Sequence, residues 1–197
     1  MNEASIDIFP PYEAFYIESM MWHTKSALRS INTIEEWVAL IKQDSEAALQ
    51  INKEDVFNEL QNIIQQSGAI SRFLFPPQKG ENKEHHKRGV KLRKSLEIYS
   101  DSCLSNRDIR NQMEHFEEHL DLYFKKFLVG HIIPNYIGLD EEASEVPQHI
   151  FKAFYINPMV FALLEEKYQL LPIFEELKKI HHILSECAAN GYRLPQQ

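Results

Sequence analysis

Apolar residues recur at helical spacing over roughly the first two thirds of the chain and then give way to short aromatic and β-branched runs. After the turn signal Pro10-Pro11, the stretch Tyr12 to Ser30 carries Phe15, Tyr16, Met20, Trp22 and Leu28 with no internal breaker and predicts a long first helix. Thr33 followed three residues later by Glu36 is a capping-box pattern, predicting a second helix through Trp37, Leu40, Ile41, Ala47 and Ala48. Asn52 can cap a third helix, with Val56, Leu60, Ile63, Ile64 and Phe73 as its apolar face. Pro76-Pro77 ends it, because proline lacks the amide donor and disfavours helical geometry in the residue before it. A polar loop around Gly80-Glu81-Asn82 then leads into a basic helix from about Lys83 to Ile98. The best-defined helix follows, from Asn106 to about Val129: Ile109, Met113, Phe116, Leu120, Tyr123 and Phe127 alternate in steps of four and three, and Ser105 with Asp108 forms an acidic capping box at its start.

The last third reads differently. Ile132 to Gly138 and Ile150 to Ile156 are β-branched or aromatic runs bounded by Gly, Asn and Pro, which predicts strands. Met159 to Leu164 and Tyr168 to Leu170 fit a further strand pair or a helix. Pro172 opens a final helix through Ile173, Leu177, Ile180 and Leu184, stopping near Asn190-Gly191. The expected fold is mainly α, a single domain over 1–197. A helical bundle spans about 10–130, a small β-hairpin or sheet is inserted over about 131–171, and a final helix covers about 172–190.

With 197 residues and 44% apolar content, the chain can bury a real core. It has no apolar run of about 18 residues, and Met1 to Asp7 lacks the basic-then-apolar order of a signal peptide, so a cytoplasmic protein without a membrane partner is expected. Cys103 and Cys187 are too few for a disulfide scaffold and lack metal-type spacing; they read as reduced, non-catalytic thiols. A net charge of −8 works against nonspecific nucleic-acid binding. The exception is Lys79 to Lys94, where Lys79, Lys83, Lys87, Arg88, Lys91, Arg93 and Lys94 face only Glu81 and Glu84, with His85 and His86 beside them. Lys87, Arg88, Lys91, Arg93 and Lys94 are the candidate RNA-binding residues; a solvated helix face is the competing reading. The acidic run Asp140 to Glu145 reads as a surface loop.

Candidate chemistry lies in Arg110-Asn111-Gln112-Met113-Glu114-His115. Composition alone gives about 0.3 Arg/His pairs at this spacing, so context must carry the reading. On a helical wheel, Arg110, Glu114, Asn111 and His115 fall roughly 100°, 140°, 200° and 240° from Ile109, away from the apolar stripe. Cleaving RNA by attack of the ribose 2′-hydroxyl needs a base, an acid and positive charge on the phosphorane. Histidine suits both proton roles, and arginine matches the phosphate as a bidentate cation. One chain offers one such His, whereas a twofold dimer offers two His and two Arg. A structural alternative pairs Arg110 and Arg107 with Glu114, Asp108 or Glu118 and packs His115 on a neighbouring helix. Asn111 either binds phosphate or fixes the helix, and Glu114 can orient Arg110 at i to i+4. His115 and His119 lack the intervening Glu placement of zinc hydrolases, so no metal site is expected; phosphate-loop, dinucleotide and hydrolase-elbow motifs are absent, and no cofactor is expected.

These residues resemble the HEPN superfamily of helical, usually dimeric proteins, many of them metal-independent ribonucleases. Its motif is Arg, often followed by Asn, Asp or His, then three residues and His. Arg110, Asn111 and His115 match position by position. The likeness extends over about Val56 to Gly138, including Leu60 to Ile64, Ile70 to Pro76, Arg88-Gly89 and Glu114 to Glu118. The resemblance implies a HEPN-like up-and-down bundle and an endoribonuclease working as a homodimer on an RNA substrate. Arg110, Asn111 and His115 would be catalytic, with Glu114 and Arg107 supporting. It further implies a toxin or antiphage-defence effector, with an antitoxin or defence-system protein as partner. The alternative from the same superfamily is a catalytically inactive dimeric module that binds a partner protein or a nucleotide.

Overall fold

A computed structural model describes residues 8–76, 83–126, 128–140 and 144–195. It is mostly helical, with a four-stranded sheet placed before the C-terminal helix. The loop at Gly80-Glu81-Asn82, together with Lys79, Pro77, Phe127 and part of the acidic run at 141–143, lies outside the described residues.

Helix α1 runs from Pro10 to Lys42 as one element, where two helices were expected. Its buried stripe, Ile17, Met20, Ala27, Ile31 and Ile34, continues through the predicted boundary, so ending the helix there would expose it. Thr33 accordingly does not cap: its hydroxyl donates to the Arg29 carbonyl four residues back (3.0 Å). Ala47 and Ala48 fall instead in a 3₁₀ turn, Glu46–Gln50, capped by Ser45. Helix α2, Lys53–Leu74, begins as expected, the Asn52 side chain accepting from the Glu54 amide (3.1 Å). Helix α3, Lys83–Ser95, stops short of Ile98 because Glu97 takes a left-handed turn (φ 54°) that returns Leu96 and Ile98 to the core.

The predicted motif helix is two helices. Asn106, rather than Ser105, starts it by accepting from the Asp108 amide (2.7 Å). Helix α4 covers Asp108–Glu114 and α5 covers Phe116–Tyr123. Between them His115 sits at φ −115°, ψ 28°. The bend has a packing cause. Ile109 is anchored in the bundle core, whereas Tyr123 and Phe124 meet Phe151 of the sheet edge-on, with ring centroids 6.1 and 5.5 Å apart. One straight helix cannot serve both surfaces.

Strands β1 (His131–Gly138) and β2 (Gln148–Tyr155) pair in parallel, so the first two predicted strands do not form a hairpin. The ambiguous segment resolves as β3 (Val160–Leu163) and β4 (Glu166–Gln169), antiparallel in the order β1-β2-β3-β4. Alternation then divides the sheet. Ile137, Phe154, Phe161, Leu163 and Tyr168 face the helical core, while Ala153, Tyr155, Val160 and Ala162 form a smaller cluster with Tyr136 and Ile150 on the other side. Helix α6, Leu171–Ala189, carries Pro172 in its first turn and buries Ile173, Leu177, Ile180 and Leu184 as expected. Past it, the chain folds back to α1: Arg193 and the Leu194 amide both donate to the buried Glu13 carboxylate (2.8 and 3.0 Å). Among the described residues, no helix is long and apolar enough to cross a membrane.

Gly130 enters β1 at φ +127°, where an added Cβ would lie 2.0 Å from the Pro147 carbonyl oxygen. Gly130→Ala is expected to lower the urea midpoint by an amount equivalent to about 1–3 kcal/mol, since strain adds to collision with backbone. Unchanged stability would show that the entry to β1 is not under this constraint. A pH dependence follows from His181, which shares a 2.9 Å hydrogen bond with Thr24 of α1. Burial, with Lys25 and His182 nearby, lowers its pKa below 6.5. The folded state therefore binds this proton less well than the unfolded chain, and its stability is full above 6.5 and declines as pH falls toward the lowered value. Urea midpoints measured between about pH 7.5 and 5 should fall, and His181→Gln should flatten that part of the decline.

Candidate functional site

The site is organised by the C-terminal end of α2, whose last carbonyls have no partner within the helix. Three arginines supply one. Arg88 of α3 donates to the Arg72 carbonyl (3.2 Å), Arg93 of α3 to Leu74, and Arg107, at the entry to α4, to Phe75. The first two also lie over aromatic faces: Arg88 is 5.5 Å from the Tyr16 ring centre and 5.8 Å from that of Phe73, and Arg93 is 4.9 Å from that of Phe75. Partial burial lowers the Arg93 pKa, though an arginine remains a cation. Gly89 lets α3 approach this closely, since a Cβ there would sit 2.6 Å from Pro76 Cδ. Thus Arg88, Arg93 and Arg107 are built into the joint between α2, α3 and α4. Lys87 pairs with Glu84 (2.9 Å), and Lys91 and Lys94 also have partners within the protein.

Arg110 leaves α4 toward α2 and lays its aliphatic stem on Gly68, where an added Cβ would be 2.6 Å from Arg110 Cδ. Its guanidinium donates to Asn111 Oδ1 (3.1 Å), and its Nε lies 3.5 Å from the Glu114 carboxylate. The side chain is only 16% exposed. His115, at the bend, is 56% exposed and places Nδ1 3.3 Å from Glu118 Oε1. A carboxylate only accepts, so in this arrangement Nδ1 carries the hydrogen and Nε2 is left for other chemistry. Within one chain, then, Arg110 is gathered with Asn111 and Glu114, and His115 with Glu118; the two groups are not paired with each other. Arg107 is directed to Phe75 and takes no part in either group.

Sequence reasoning named Glu118 as a partner for Arg110 or Arg107, whereas the structure pairs it with His115, three residues before it. Gly68 was not singled out, since nothing local in the sequence marks it as the seat of a distant arginine. Behind α4 lies a cavity of about 300 Å³, walled by Ser67, Gly68 and Ser71 of α2, by Arg107 and Arg110, and by Tyr168 of β4, among others. Cys103 borders it; burial and the Glu176 carboxylate push its thiol up to about 11, so it stays protonated near neutrality. Among the described residues, no group of three or more His, Cys, Asp or Glu side chains is placed to hold a metal ion. No protein-family model, curated protein or solved structure matches the chain.

If the arginines hold the joint, Arg93→Gln should destabilise the fold by about 1–2 kcal/mol, read by urea unfolding, because a charge-assisted bond to a helix-end carbonyl is lost. Lys94→Gln, at an exposed position of the same helix, should cost less. Equal effects would make the two cations equivalent and remove the special role of Arg93.

Proposed function

We propose that the chain is a metal-independent endoribonuclease of the HEPN type, built on a HEPN-like bundle and active as a twofold homodimer. The observation that carries the reading is the helix break at His115. It presents an imidazole to solvent with one nitrogen held by Glu118, five residues from an arginine steadied by Asn111 and Glu114. Each chain supplies half of what in-line RNA cleavage requires. In the dimer, His115 of one protomer takes the proton from the ribose 2′-hydroxyl as that oxygen attacks phosphorus. The bond to the 5′-oxygen breaks, and the partner's His115 delivers a proton to the leaving oxygen. Arg110 neutralises charge on the phosphorane, and Asn111 positions the phosphate. The products are a 2′,3′-cyclic phosphate and a 5′-hydroxyl. A cytoplasmic toxin or antiphage-defence effector, restrained by an antitoxin or another defence protein, is the setting that this activity suggests.

A specific observation favours a second reading, a catalytically inactive dimeric module that binds a protein partner or a nucleotide. Arg88, Arg93 and Arg107 donate to α2 carbonyls, and the chain as a whole carries −8, which leaves less positive surface for RNA than the basic run Lys79 to Lys94 suggested.

Incubating a tRNA and structured-RNA pool with wild type and His115→Ala in excess chelator separates the readings. The nuclease reading expects discrete cuts ending in 2′,3′-cyclic phosphate, reduced at least about 100-fold in the variant. Cleavage that persists in His115→Ala, or a folded dimer that leaves every RNA intact, would count against it.

A further inference from the structure

Among the described residues, three buried side-chain polar atoms lack a hydrogen-bond partner, and two of them, Ser71 Oγ and Arg110 Nε, belong to residues walling the 300 Å³ cavity behind α4. Ser71 is only 3% exposed. Folded proteins rarely leave such groups without a hydrogen bond, because burial has already removed their water, and Arg110 Nε has only its 3.5 Å ion pair with Glu114. Both groups are donors. Two more donors join them on the wall: the Arg107 guanidinium and the Tyr168 hydroxyl, which burial and the carboxylates of Glu166 and Asp108 push up to about 12 and so keep protonated. Among the described residues, no carboxylate lines the cavity. Of those nearby, Glu114 lies 3.5 Å from Arg110 Nε, and Asp108, Glu166 and Glu176 act on Tyr168 or Cys103. Lys167 is at the rim with its ammonium over the Tyr155 ring (5.9 Å). The wall is completed by apolar Leu104, Ile109, Pro172 and Ile173 and by Ser67, Cys103, Asn106 and Gln169, of which the Ser67 hydroxyl is turned to the Ile64 carbonyl (2.8 Å) and Asn106 Oδ1 accepts from the Asp108 amide (2.7 Å).

A cavity whose wall combines these donors with apolar side chains matches a ligand that carries acceptors on an apolar body. Its size is at the lower end of small-molecule pockets. We propose that it binds a small organic oxyanion, a phosphate or carboxylate carried on a ring-sized apolar body, with Ser71, Arg107 and Arg110 around the head group. This site does not involve His115, which is not part of its wall. It shares Arg110 with the proposed cleavage site but not His115, the proton carrier.

The test is titration of the ¹⁵N-labelled protein with phenyl phosphate, benzoate and the uncharged control phenol, in wild type, Ser71→Ala and Ser71→Leu. The proposal expects saturable amide shifts confined to residues 67–71, 107–110 and 167–169, with submillimolar affinity for an oxyanion and none for phenol. Preference for phenyl phosphate or for benzoate assigns the head group. Ser71→Ala should weaken binding about tenfold by removing one donor, and Ser71→Leu should block the cavity. Absence of localised shifts in the folded wild type, equal binding of phenol, or affinity unchanged in Ser71→Ala would each overturn it. The same titration of His115→Ala keeps the two readings distinguishable: binding should be unaffected whether or not RNA is cut.

Discussion

The C-terminal end of α2 is the point on which the rest of the arrangement depends. A helix end presents carbonyls with no partner and a partial negative charge, and beside this one Leu74 and Pro76 are buried. Guanidinium groups from α3 and from the start of α4 answer it, so three stretches of chain that are far apart in sequence are fixed relative to one another. Arg107 settles where α4 begins, α4 settles where Arg110 lies across Gly68, and the cavity exists because these helices meet β4 and α6 around it. A lysine could supply charge at the same positions, but not the planar fork that lies over Phe75 or Tyr16 while donating to a carbonyl.

The second constraint is the divided loyalty of the motif segment. Its first half belongs to the bundle through Ile109 and its second to the sheet through Tyr123 and Phe124. The change of direction falls on His115, whose backbone sits near the sparsely populated region between helix and strand that turns and functional residues often occupy. Position and exposure of the imidazole are thus consequences of packing at both ends. The same division leaves Leu122 and Phe124 substantially exposed, at 58% and 49%, on the segment that a second copy would have to approach for two motif histidines to meet.

What the sequence made legible was periodicity and local chemistry. Asn52 and Pro76 bound α2 because capping and proline act over a few residues, and the stripes of α2 and α6 name their own buried faces. The failures have a common cause, which is tertiary competition with a local signal. Thr33 has the form of a cap but lies on a continuous buried stripe, and packing wins. The stripe from Ile109 to Tyr123 is periodic, but its two halves face different surfaces, which no spacing rule contains. For Arg88 and Arg93, charge is visible in a sequence, whereas their bonds to a helix end 15 or more residues away are not. At the site, the residues Arg110, Asn111 and His115 could be named from the sequence, whereas the seat on Gly68, the pairing of Glu118 with His115 and the cavity with Ser71 required the fold.

The central claim is that two chains share one site, each contributing His115. Its most direct test is subunit mixing: wild type is dissociated and reassembled with increasing His115→Ala, and RNA cleavage is followed per wild-type chain. A shared site predicts that activity per wild-type chain falls toward zero as mixed dimers, lacking one proton carrier, replace wild-type dimers. Activity per wild-type chain that stays constant across the series would contradict it.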